Sequence, residues 1–284
     1  MVQKRKRRGD NPKMKITRIS SLEVKEADGI QTWTMSFGPV NPLNPDFLAA
    51  MKTALEDATA NEAVSAIVLT SGLRVFSAGG DTSWMKKQHA ERGADGLLDE
   101  FNRIMNDFRK LCVAMRCSPL LIIASLNGHT LAGGLELAAA CDLRFCANND
   151  RIQIGVPEMD LFGVMPSGGG GAQFIGRLMG ASRALQFILD AKPVGPKDAL
   201  EMGLVDRLYD PESLLEKSEA FAKSVSKKAG RIGVSAAKRA ILDGIELPLL
   251  SAMSLDRAIH WDAMRRGNFR TVVSSFIQRF GGAS

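Results

Sequence analysis

The chain has 284 residues, 45% apolar and 24% charged, proportions of a soluble globular protein that exclude wholesale disorder. That length builds one large domain or two ordinary ones, and it buries a full core without metal or disulfide staples. Apolar runs such as Leu120–Ala124 and Leu137–Cys141 are far shorter than the about 20 residues that cross a bilayer, so no spanning helix is expected.

Of the net charge of +6, +5 sits in residues 1–13, where Lys4, Arg5, Lys6, Arg7, Arg8 and Lys13 stand against Asp10. The run reads as a disordered, solvated leader. No aromatic side chains interleave with its charges to stack bases, so nucleic acid is not an expected partner; the rival reading, a protein that grips nucleic acid, rests on this tail alone. No apolar segment follows that could make a secretory signal, Met14 is a candidate start, and a cytoplasmic location is expected. Cys112, Cys117, Cys141 and Cys146 form no C-x-x-C pair, and the histidines are only His89, His129 and His260. The cysteines therefore read as small buried hydrophobes in a reducing compartment, and no metal is expected.

In chain order, Ile16–Val24 and Ile30–Phe37 alternate with period two around Ala27-Asp28-Gly29 and predict a hairpin. The loop Asn41–Pro45 leads into a helix near Asp46–Ala60, where Phe47, Met51 and Leu55 recur every four residues. Ala66–Thr70 is a short strand, and Ser71–Asp81 is irregular. A helix over about Gly96–Met115 carries Leu97, Phe101, Met105, Phe108 and Leu111 on one stripe, as core packing requires. Pro119–Leu126 is a buried strand, Gly133–Ala140 a helix, and Leu143–Cys146 and Ile152–Ile154 are short strands. After Gly168–Gly171 the pattern is helical, apart from a turn near Lys192–Pro196 and a strand at Val205–Leu208. Pro248 separates Ile241 and Ile245 from Leu249 and Met253, which predicts two helices there. Strands interleaved with helices, followed by helices alone, give an α/β fold with a helical C-terminal appendage.

Three glycine-rich turns stand out: Phe76–Asp81, Asn127–Gly134 and Pro166–Gly171. None fits either nucleotide-binding glycine fingerprint. Each alone is explained by tight loop geometry, but glycine also lets a backbone N–H approach a ligand closely, and two such groups aimed at one spot make an oxyanion hole. Glu136 is one carboxylate in the otherwise apolar helix Leu135–Cys141. A salt bridge, an exposed face, or a catalytic acid or base with a raised pKa would each account for it. Glu158, after Pro157, reads by itself as a loop surface residue. No G-x-S-x-G motif is present for a serine nucleophile, and His129 reads as a loop residue.

Taken together, Phe76–Asp81, Asn127-Gly128 through Gly133-Gly134-Leu135-Glu136-Leu137, Pro157-Glu158 and the Gly168–Gly171 run resemble the crotonase (enoyl-CoA hydratase/isomerase) superfamily over about residues 15–280. The resemblance implies a ββα spiral core over residues 14–210 with an acyl-CoA site, and a helical oligomerisation region over residues 211–284. It implies an enzyme of fatty acid metabolism, an enoyl-CoA hydratase that adds water syn across C2–C3; an enoyl-CoA isomerase or another acyl-CoA lyase of this fold is the alternative. The amides of Gly80 and Gly133 match the oxyanion hole, and Glu136 and Glu158 match the two carboxylates. Ser77 and Ala78 match the segment that receives CoA, with Arg74 a candidate for its phosphates, and Asp81 fixes the first loop by accepting backbone N–H bonds. Trp84, Met85, Leu161 and Phe162 are candidates for the apolar acyl wall. No cofactor is implied beyond the CoA of the substrate. A homotrimer or hexamer is implied, with Phe276, Arg279 and Phe280 resembling a last helix that completes a neighbour's site. Two departures bear on the site: residues near Phe162 look inserted, which makes Asp160 a rival to Glu158, and Ala132 replaces a common glycine, which is harmless unless that position needs positive φ.

Overall fold

The computed structural model describes residues 14–267 and 269–280; the basic tail 1–13 and the side chain of Phe280 lie outside the described residues. The chain opens with three antiparallel strands rather than two: β1 (Lys15–Ile19), β2 (Leu22–Ala27) and β3 (Ile30–Met35). The Asp28-Gly29 turn forms as expected, but Ser20, at φ 54, turns the chain a second time and splits the first strand. Helix α1 (Pro45–Ala60) starts where Asn44 Oδ1 accepts the Phe47 N–H at 3.0 Å, and Pro45 occupies the first turn, where its missing N–H costs nothing.

A ββα unit then repeats. The strand β4 (Ala66–Ser71) is followed by β5 (Val75–Ser77) and α2 (Thr82–Cys117), and β6 (Leu121–Leu126) by β7 (His129–Leu131) and α3 (Gly133–Ala140). After β8 (Leu143–Ala147) come β9 (Ile154–Gly155) and α4 (Glu158–Phe162). The first strand of each unit joins a seven-stranded sheet of order β1-β2-β3-β4-β6-β8-β10, and the second joins a three-stranded sheet of order β5-β7-β9. Every residue of β4 is buried, as a parallel strand covered on both faces requires. The remaining elements are α5 (Gly171–Met179), α6 (Ala181–Asp190), α7 (Pro196–Glu201), β10 (Arg207–Tyr209), α8 (Leu214–Leu242), α9 (Leu249–Arg266) and α10 (Phe269–Phe280). Pro248 does separate α8 from α9.

The small sheet is what periodicity cannot show, because its strands are two or three residues long. Residues 71–81, expected to be irregular, hold β5, and His129, expected in a loop, sits in β7. Helix α2 starts fourteen residues before its expected N-terminus: Asp81 caps it, Oδ1 accepting the N–H groups of Ser83 and Trp84 at 2.9 Å each. It breaks at Gly93, whose φ is 72. Of the cysteines, Cys112, Cys141 and Cys146 are buried, but Cys117 is exposed at the end of α2. Helix α8 packs across β3, β4, β6 and β8, so the C-terminal helices begin as part of the main core. No helix among the described residues is long and apolar enough to cross a membrane.

Candidate active site

The three strands of the small sheet run parallel, so their C-terminal ends share one edge. Beyond β5 come Gly79 and Gly80, beyond β7 Ala132 and Gly133, and beyond β9 Glu158. Three segments distant in sequence are thus delivered to one place, outside the carboxyl ends of parallel strands, where α/β folds place ligands.

The first loop is tied down by Asn41, a fully buried residue at the start of the loop Asn41–Pro45, where nothing in the sequence marks it as an anchor. Its Oδ1 accepts the Phe37 N–H at 2.8 Å, its Nδ2 donates to Ser71 Oγ at 2.7 Å and to the Phe76 carbonyl at 2.9 Å, and its carbonyl accepts Ser77 Oγ at 2.8 Å. The peptide joining Gly79 to Gly80 is trans, so its C=O and N–H point in opposite directions. The Gly79 carbonyl accepts the Leu43 N–H at 2.8 Å. The Gly80 N–H therefore points away from that backbone. The second amide belongs to Gly133, the first residue of α3, where an N–H has no acceptor within the helix and lies at the positive end of its dipole. The two loops touch: a Cβ on Gly79, whose φ is 88, would stand 2.7 Å from that of Ala132 and 3.0 Å from the Gly133 nitrogen. Ala132 itself has φ 52. The position does need positive φ, and alanine holds it under strain.

Glu136 lies on α3 and is 3% exposed, which removes the exposed-face reading. No salt bridge involves it among the described residues. Its Oε2 accepts the N–H groups of Gly169 at 2.9 Å and Gly171 at 2.6 Å. The third glycine turn is thus a cradle for this carboxylate, and a Cβ on Gly171 would come within 2.7 Å of Glu136 Cγ. Burial pushes the Glu136 pKa up, and the amides of the glycine run hold it back. Glu158 opens α4, half-buried, with Oε2 buried and without a hydrogen-bond partner among the described residues. Burial, joined by repulsion from Glu136, raises its pKa to about 7.

Both glutamates, Gly80 and Gly133 line one cavity of about 400 Å³. Of the four acyl-wall candidates Met85 and Phe162 line it too, but Trp84 and Leu161 do not; Trp84 is half-buried and Leu161 exposed, and Asp160 is exposed and outside the lining. Ser77 is fully buried and its hydroxyl is used on Asn41, Ala78 donates its N–H to the Val40 carbonyl, and neither lines the cavity. Asp81 is the cap of α2 and also accepts Asn44 Nδ2 at 2.9 Å. Arg74 is exposed. The stripe on α2 divides: Phe108 and Leu111 are core, but Leu97, Phe101, Met105 and one face of Phe108 line the cavity. The sequence offers no signal for that, since helical spacing marks an apolar face without telling whether protein or ligand covers it.

Comparison with known proteins bears on the fold and the family. The family described as enoyl-CoA hydratase/isomerase matches residues 25–280. A fatty acid oxidation complex subunit alpha from Shewanella halifaxensis is 34% identical over 73% of this chain, which spans only 28% of that subunit's length. A short-chain-enoyl-CoA hydratase from Clostridium acetobutylicum is 30% identical over 84% of this chain and 87% of its own. The crystal structure of an enoyl-CoA hydratase from Geobacillus kaustophilus HTA426 superposes with a TM-score of 0.85 at 29% identity, covering 94% of this chain and 97% of that one.

Two measurements follow from the backbone and the charges. Ala132→Gly removes the positive-φ strain at the cost of unfolded-state entropy, and we expect a net gain of about 1 kcal/mol in denaturant unfolding. Glu158, with its folded pKa raised from 4.5 to about 7, binds more protons in the folded than in the unfolded state between those values, so stability falls as pH rises through that window. Glu158→Gln should reduce that slope, leaving the part due to Glu136, and be more stable than the parent above pH 7; an unchanged slope would show that Glu158 is not a group responsible.

Proposed function

Because the chain belongs to the enoyl-CoA hydratase/isomerase family, we propose that it is an enoyl-CoA hydratase whose catalytic groups are Glu136, Glu158 and the amides of Gly80 and Gly133. The observation that carries this reading is that two carboxylates in unlike surroundings face one cavity together with those two amides. A double-bond isomerase needs one such carboxylate; hydration uses two.

On this reading the thioester carbonyl oxygen accepts the Gly80 and Gly133 N–H groups, and these fixed dipoles hold the charge that develops on it. Glu136, whose anion is favoured by two backbone donors, takes a proton from water as the water oxygen bonds to C3. The C2–C3 π electrons shift toward the carbonyl, and Glu158, which carries a proton near neutral pH, delivers it to C2. A hydrogen and a hydroxyl are thereby added to one face, giving a 3-hydroxyacyl-CoA, and the proton gained by Glu136 leaves to solvent while Glu158 regains its own. The reading calls for no cofactor beyond the CoA of the substrate. Relatives named for short-chain hydration and for fatty acid oxidation leave the acyl chain to be argued from the cavity.

We also propose that α9 and α10 meet like subunits, as in a homotrimer or hexamer. Leu249, Leu250 and Met253 on α9, and Phe276 and Ile277 on α10, are each more than half exposed, and large apolar side chains clustered along one helix toward water suit a contact with another subunit.

Glu136→Gln and Glu158→Gln are each expected to lower kcat for hydration by about 10²-fold or more while the far-ultraviolet circular dichroism stays as in the parent. Full activity in either variant would refute that residue's role, and conversion of a 3-enoyl-CoA to its conjugated isomer without water uptake would favour the isomerase. Light scattering is expected to give three or six times the subunit mass; a monomer would refute the proposed contact.

A further inference from the structure

The cavity is longer than a short acyl group can fill. Its inner end lies at Phe108 and Met105: a Cβ on Gly168 would stand 3.4 Å from Phe108, 3.7 Å from Met105 and 3.5 Å from Glu136 Oε1. From there the lining follows α2 through Phe101 to Leu98 and Leu97. Gly93 is the only break in α2, so the helix runs unbroken through this stretch. At 1.5 Å per residue, Phe108 and Leu97 are about 16 Å apart along the axis. An extended hydrocarbon, with C–C bonds of about 1.52 Å and angles near 111°, advances about 1.25 Å per carbon, so about a dozen carbons fit along it.

Two further features specify the chemistry. Glu136 and Glu158 are the only ionisable side chains lining the cavity among the described residues, so nothing there would recognise a carboxylate or other anion at the far end of an acyl group. The outer end is a lip rather than a wall: Leu98, Phe162, Val164 and Met165 line the cavity, yet are 67%, 68%, 53% and 57% exposed. A pocket shaped for a four-carbon group would close over it. Here apolar side chains continue past the cavity toward solvent, where a longer tail would cover them.

We infer, resting on the acyl-CoA reading above, that this site prefers thioesters of straight hydrocarbon chains of about eight to twelve carbons over four-carbon or carboxylate-bearing acyl groups. The preference arises along α2, remote from the bond that reacts, so chain length acts through binding of the tail.

The test uses the full chain and two ligand series of four to twelve carbons, trans-2-enoyl-CoAs for turnover and saturated acyl-CoAs for calorimetric affinity. The expected result is that kcat/KM and affinity both climb with length, by as much as about fourfold for each methylene buried, and level off near ten to twelve carbons. Values that are flat or falling from four carbons to ten in both series overturn the inference. Rising affinity without hydration of any enoyl-CoA supports the preference and overturns the hydratase reading, whereas hydration of crotonyl-CoA with flat series does the reverse. Leu97→Glu, a charge placed on the far lining, should lower the ratio of ten-carbon to four-carbon affinity; an equal loss at both lengths would count against a tail bound along α2.

Discussion

Because a parallel strand must end where its neighbours end, the β5-β7-β9 sheet fixes the site before any side chain does. Its strands are too short to contribute much stability alone, and they are held by the longer strands and helices on either side of them. What they supply is position. The chain leaves β5, β7 and β9 at one edge, carrying two glycine-bearing turns and one carboxylate. Once there, the trans geometry of the Gly79–Gly80 peptide and the start of α3 leave little freedom for the two amides. Asn41 reinforces the arrangement from behind with three side-chain hydrogen bonds that an apolar residue could not make, and with a fourth accepted by its backbone carbonyl.

The two glutamates show how shared burial is divided by local donors. Both lose water, and for both that loss is the largest influence, raising the pKa. Glu136 is the more deeply buried, yet two glycine amides converge on a single oxygen and offset part of the penalty. Glu158 has only its own backbone amide as a donor, keeps a buried oxygen without a partner among the described residues, and sits near a second negative charge. Its pKa is raised to about 7. A difference in backbone geometry, not in residue type, separates their surroundings.

Much of this was legible in the sequence. Periodicity placed α1, β4, β6 and α3 within a residue or two, and the three glycine turns with Glu136 marked the site. Two kinds of feature were hidden. The small sheet is too short to leave a period, so the reason the turns meet could not be read from them. The cavity wall was hidden because Leu97 and Phe101 carry the same spacing as the core residue Leu111 that follows them. The motif match favours Glu158, but the inserted-looking residues around Phe162 leave Asp160 as a substitute if the loop is re-threaded. The structure brings Glu158 into the cavity through its place two residues beyond Val156, directly after β9, while Asp160 falls on the outer side of the short α4.

The features that depart from ordinary folding rules gather at the same edge. Ala132 is held at positive φ, Glu158 keeps an unpartnered oxygen, and Leu98 and Phe162 are large apolar side chains left toward water. Each is destabilising in the protein alone, and strain or unsatisfied groups persist where surrounding structure over-determines them. Here that surrounding structure is α3, buried along its whole length, and the parallel strands behind it. Each departure also borders the same cavity: Ala132, Glu158, Leu98 and Phe162 all line it. A fold that needed these features only for its own stability would have no reason to place them together.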